Sequence, residues 1–128
     1  MRRLDERGQA LVELALVLPI LLLVLMGIVD FGRVFHGHLA VTSASRQAAR
    51  EASLGRTDAE IMTAARNAAS PLAPEQIVVT VTPAFSARQA GTSIEVTVTY
   101  SLEIITPLIQ PFLPNPYQVR ARVVTRRE

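Results

Sequence analysis

Gly8 and Glu13 stand five residues apart, and the glutamate opens an otherwise uncharged apolar run from Leu14 to Val29. A carboxylate in such a segment costs roughly 2.5–3.5 kcal/mol at the centre of a membrane helix and less near its edge, so its presence asks for a function. Glycine lets a chain lie extended in a protease cleft without side-chain clash. The peptide bond between Gly8 and Gln9 is therefore a candidate processing site, preceded by a basic leader with Arg2, Arg3 and Arg7. Cleavage there would leave Gln9 as the new terminus, four residues before Glu13. On a helix, positions i and i+4 share a face and lie ~6 Å apart along the axis, so a terminal amine and this carboxylate can pair. In an assembly, the carboxylate could instead meet a neighbouring subunit's amine. The plainer alternatives are a linker glycine and a glutamate snorkelling to the interface.

Other residues are weighed the same way. Pro19 removes a helical hydrogen bond and crowds the carbonyl of Ala15, which reads either as a kink that helps extraction from lipid or as a tolerated membrane proline. Asp30 and Arg33 stand where the apolar run ends. They read as a boundary marker or, alternatively, as a subunit contact, with an i,i+3 pair worth about 0.2–0.5 kcal/mol. His36 and His38 are about 200° apart around a helix and cannot chelate one ion. The chain has no cysteine and no lysine, and lacks a phosphate-binding glycine loop or a serine-nucleophile elbow, so neither an enzyme nor a cofactor is expected. A net charge of +2 is too small to suggest nucleic acid. The segment from Pro107 to Pro116 combines prolines with apolar side chains; it reads either as a cover for the sheet end or as a docking surface.

The elements that position these residues follow from periodicity. Ala10 to Val29 is twenty residues with one charge, enough to span the ~30 Å of a bilayer core. This run is longer than the apolar core of a secretory signal, and its uniform apolarity disfavours a buried helix of a soluble globule. No proline interrupts Asp30 to Leu54, so one helix is expected from about residue 9 to 54, ~65–70 Å long, with Gly55 as its cap. Phe31, Phe35, His38, Thr42, Ser45, Ala49 and Ala52 are expected to form one face, while Gly32 and Gly37 each cost about 1 kcal/mol relative to alanine. Thr57-Asp58-Ala59-Glu60 is a capping box opening a second helix, with Ile61, Ala64, Ala65, Ala68 and Leu72 on its buried stripe and Ser70-Pro71 and Ala73-Pro74 ending it. Beyond Pro74 the period changes to two. Ile77–Thr82, Ile94–Glu103 and Tyr117–Val124 read as three half-buried strands, each with one apolar face that needs a covering layer. The expected fold is α+β: a long N-terminal helix, a short second helix and a three-stranded antiparallel sheet packed on the helices.

Arg7-Gly8-Gln9-Ala10-Leu11-Val12-Glu13-Leu14-Ala15-Leu16-Val17-Leu18-Pro19, followed by Gly27-Ile28-Val29-Asp30-Phe31-Gly32-Arg33, resembles the TadE-like family of pilin-like subunits of the tight-adherence (Tad, type IVc) pilus system. The resemblance is specific from about residue 6 to 54 and looser beyond. Leu14 stands where the family usually has an aromatic. The resemblance implies a minor pilin or pseudopilin cut after Gly8 by an aspartic prepilin peptidase. Its implied partners are that peptidase, other pilins, the Tad secretion machinery and membrane lipid. The organisation then reads as a cytoplasmic leader (1–8), a transmembrane helix (9–29), a helical extension (30–55) and a small extracytoplasmic domain (56–128). The implied location is the inner (cytoplasmic) membrane, with possible incorporation in the pilus. Arginines flank both ends of the span, so charge alone leaves orientation open. The competing reading is an uncleaved, single-pass anchored binding module of the cell envelope.

Overall fold

A computed structural model describes residues 2–70 and 72–128, with side chains from Asp5 onward. Met1 and Pro71 lie outside the described residues, and so does that part of the expected Ser70-Pro71 helix stop. One helix, α1 (Arg2–Ser53), is followed by α2 (Asp58–Ala68) and by strands β1 (Ile77–Thr82), β2 (Ser93–Leu102) and β3 (Tyr117–Arg126). The strands form an antiparallel meander in the order β1-β2-β3. The architecture is the α+β arrangement expected from the periodicities.

The helix begins in the leader rather than at residue 9 and runs on through Pro19. The leader has no proline, and Leu4, Glu6 and Arg7 are good helix formers, so Gly8 alone does not stop propagation. The distal end is sharp. Gly55 has φ +77°, its N–H reaches the carbonyl of Ala52 at 3.0 Å, and the N–H of Arg56 reaches that of Glu51 at 3.2 Å. These two bonds satisfy carbonyls that the end of the helix would otherwise orphan, and glycine adopts the required left-handed conformation without penalty. Helix α2 then opens with the reciprocal box: the N–H of Thr57 donates to Glu60 Oε2 (2.8 Å), and the N–H of Glu60 donates to Thr57 Oγ1 (3.4 Å). Its buried residues are Ile61 and Ala65, continued by Ala69, with Ala64, Ala68 and Leu72 half-buried.

The sheet turns one face to the helices. Across it lie the rows Ile77–Tyr100–Val119, Val79–Val98–Ala121 and Val81–Val96–Val123. The central strand of each row is buried, and the flanking Val79, Val81, Ala121 and Val123 are half-buried against the core. Thr97, Arg120 and Arg122 belong to the opposite face, where Arg122 Nη2 meets Glu95 Oε2 at 2.6 Å.

The covering face of α1 coincides with the expected one at Ser45, Ala49 and Ala52 but is rotated from it nearer the membrane. Phe31, Phe35 and His38 are exposed, and the buried stripe is Gly37, Val41, Ala44, Ser45, Ala48, Ala49 and Ala52. Size explains the rotation. Small side chains let the sheet approach the helix closely, and aromatics on the seam would hold it away. At Gly37 a Cβ would lie 3.5 Å from Tyr100 Cδ1 and 3.6 Å from Val119 Cγ2. Lengths also match: Asp30 to Ser53 rises about 35 Å, and the ten residues of β3 extend about 33 Å. The strand follows the helix in the same direction. Tyr117 shares a cleft with Gly27 and Asp30, Val119 lies by Gly37, and the N–H of Glu128 bonds the carbonyl of Ser53.

Two stability outcomes follow. Val98→Asp should bury an unpaired carboxylate and abolish the cooperative melt of the domain, whereas Thr97→Asp, opposite Arg122, should change it by less than about 1 kcal/mol. Circular dichroism melts of the full-length protein in detergent check the ranking; the reverse order would mean a register shifted by one residue. In the same assay Gly37→Ala should stabilise by up to about 1 kcal/mol, because the added methyl meets only ordinary contacts and the helix gains propensity. A loss of stability there would mean that the helix–sheet seam has no room for a methyl.

Candidate functional site

The candidate residues fall into two groups along α1. Gly8, Gln9, Glu13 and Pro19 lie in its N-terminal half, where every described side chain from Asp5 to Leu22 is exposed. A Cβ built on Gly8 would meet nothing within 4 Å. No described side chain forms an ion pair with Glu13. The segment around the Gly8–Gln9 bond is thus held by helical hydrogen bonds alone. A protease needing it extended must unwind one or two turns, with no tertiary packing to break. The apolar stretch of α1 is long enough to cross a membrane and is not buried by the rest of the chain, so lipid can surround it.

The second group is assembled by the fold. Asp30, 4% exposed, sits under the segment that follows β2. Its Oδ2 accepts hydrogen bonds from the Thr106 hydroxyl (2.6 Å), the Thr106 N–H (2.8 Å) and the Ile105 N–H (3.1 Å). Arg33 Nη1 lies 3.2 Å from Asp30 Oδ1 and also donates to the carbonyl of Glu103 at 3.0 Å. One helical turn therefore binds both polarities of an irregular backbone. Burial pushes the Asp30 carboxyl up. The Thr106 hydroxyl, the two N–H groups and the Arg33 guanidinium together outweigh it and hold the group below the usual aspartate range. Next to this clamp an apolar cleft of about 360 Å³ is lined by Gly27, Phe31, Val34, Ile104, Ile109, Leu113 and Tyr117.

Sequence reasoning did not single out Arg88. It is buried in the connection between β1 and β2, donates to the carbonyl of Pro83 at 2.7 Å, and pairs with Asp58 Oδ1 at 2.5 Å. The Arg127 side chain in turn donates to the Arg88 carbonyl. This ties the loop to the first turn of α2 and to the C-terminus. The clue available beforehand was an arginine in a loop otherwise free of charge from Pro83 to Gly91.

The clamp predicts a pH response. Because the Asp30 pKa is depressed in the folded state, its contribution is fully present above the ordinary aspartate value near 4 and is lost as pH falls through the lower native value. Asp30→Ala should cost about 1–3 kcal/mol by leaving the Ile105 and Thr106 donors unpaired. It should also speed amide hydrogen exchange at those two residues and flatten the acid limb of the stability profile. Unchanged exchange at Ile105 and Thr106 would show that the loop is held by other contacts.

No curated protein and no solved structure matches the chain. A family model does, over residues 8–50, and its description is TadE-like protein. The matched stretch opens on the candidate scissile glycine, contains Glu13, Pro19 and the Asp30–Arg33 pair, and covers about a third of the chain. Residues 8–50 of α1, which hold Gly8, Gln9, Glu13, Pro19, Asp30 and Arg33, are thus similar to the TadE-like family.

Proposed function

We propose that this protein is a minor pilin or pseudopilin that takes part in assembling a Tad-type pilus, and that it acts in assembly rather than as an enzyme. The family match associates the chain with the Tad pilus system. The finer reading rests above all on Glu13: an exposed carboxylate in a membrane-length helix, five residues beyond a glycine that nothing packs against. Hydrolysis of the Gly8–Gln9 bond by a prepilin peptidase would consume one water. It would leave a carboxylate on Gly8 and an ammonium on Gln9. That ammonium is the charge Glu13 lacks, supplied either in the same helix or by a neighbouring subunit. On this reading the leader faces the cytoplasm, residues 9–29 cross the inner membrane, and the sheet domain lies outside. The exposed N-terminal half of α1 is then the surface offered to other pilins as well as to lipid.

Mass spectrometry of the protein purified from membranes of a piliated host tests this. A mature Gln9 terminus is expected, and Gly8→Leu should retain the full leader. Glu13→Ala should be inserted and cut yet co-purify less with other pilins. An intact Met1 in the unaltered protein would instead support the anchored binding module.

A further inference from the structure

We infer that the loop after β2 is a second membrane contact, in which Leu108, Phe112 and Leu113 enter the lipid interface beside the point where α1 leaves it. The inference rests on reading the apolar run of α1 as a membrane span. Three observations carry it. The first is position. Ile105 and Thr106 are bonded to Asp30, just beyond the apolar run, and three to four residues further on Ile109 lies by Gly27, where a Cβ would be 3.8 Å from Ile109 Cδ1. Between these points the loop descends three helix residues, about 4–5 Å, from the end of the apolar run to within it. The second is composition. From Ile104 to Val119 there is no charged residue, and Phe112 is 86% exposed with Leu108, Leu113 and Ile105 exposed around it. A contiguous apolar patch of this kind marks a contact, and its continuity with the apolar surface of α1 makes lipid the occupant. The exposed Phe31 stands on the same level of the helix, as aromatic side chains do at an interface.

The third is the backbone. An irregular loop near hydrocarbon must not present unsatisfied N–H groups. Between Pro107 and Pro116, four of ten residues are proline and have no donor. Four of the other six donors are turned inward: Ile109 and Gln110 to the carbonyl of Thr106, and Phe112 and Leu113 to that of Ile109. The Gln110 side chain adds a bond to the carbonyl of Ile104 at 2.8 Å. The loop thus presents side-chain carbon outward and few bare donors. It also encloses Asp30, so that its carboxylate, paired and hydrogen-bonded, does not stand bare at the end of the apolar run.

Because the chain has no cysteine, one introduced cysteine gives a unique label. Full-length protein carrying Phe112→Cys or Leu108→Cys, labelled with an environment-sensitive fluorophore, is reconstituted in phosphatidylethanolamine–phosphatidylglycerol vesicles. Val124→Cys, exposed on the far face of the sheet, is the aqueous control, and Val17→Cys is the control within the span. Labels at 108 and 112 should be quenched by lipid with a doxyl group high on the acyl chain at least about twofold more than the label at 124, and shielded from aqueous iodide. The label at 17 should be quenched by doxyl lipid alone. If 108 and 112 behave like 124 while 17 stays lipid-quenched, the loop contact is wrong and the span stands. If 17 is open to iodide, the span reading fails and the inference fails with it. Shielding at 112 from both quenchers, relieved on dilution with lipid, would overturn lipid contact in favour of contact between copies.

Discussion

The close seam between α1 and the sheet is the contact on which the rest of this molecule depends. Three strands with one apolar face each cannot hold together in water alone, and the short α2 cannot cover them. The stripe from Gly37 to Ala52 solves this by having almost no side-chain height, so backbone meets sheet across little more than methyl groups. That choice keeps the aromatic side chains of the helix, Phe31 and Phe35, out of the core and available elsewhere. It also fixes where the domain sits: beside the C-terminal half of the helix, beginning at the end of its apolar run.

A second constraint is electrostatic. A helix passing from one solvent to another must place its first charge somewhere, and here that charge is Asp30. Instead of standing bare at the boundary, its carboxylate organises a loop contributed by residues more than seventy positions away. Arg33 completes the arrangement by neutralising one oxygen and holding a carbonyl of the same loop. The pair therefore links the membrane half of the chain to its sheet domain by hydrogen bonds to backbone, to which the Thr106 hydroxyl adds a side-chain bond.

This explains which parts of the structure the sequence disclosed. Strand existence and the Val96, Val98 and Tyr100 face were readable because alternation in a half-buried strand is a strong two-residue signal. The capping box of α2 was readable because its chemistry is local. The buried side of α1 was read correctly at Ser45, Ala49 and Ala52 and misjudged nearer the membrane, where bulk pointed to the phenylalanines rather than to Gly37 and Val41. The clamp between Asp30 and Thr106 and the anchoring of the β1–β2 loop by Arg88 were illegible for a different reason. The first joins a carboxylate to two N–H groups and a hydroxyl more than seventy residues away, and the second pairs a loop arginine with Asp58 thirty residues earlier. Gly8 and Glu13, conversely, owe their interest to spacing alone, and the fold places nothing against them.

The parallel course of β3 and α1 has a mechanical consequence. Since strand and helix run side by side in the same direction from Asp30 to Ser53, tension along the helix axis loads their shared seam in shear. Shear engages contacts along the whole length together, whereas peeling would break them one at a time. Hauling α1 by its N-terminal end thus transmits force first to the Asp30–loop junction and then along the alanine stripe to the Ser53–Glu128 bond. The sheet travels with the helix as one load, with no separate tether needed.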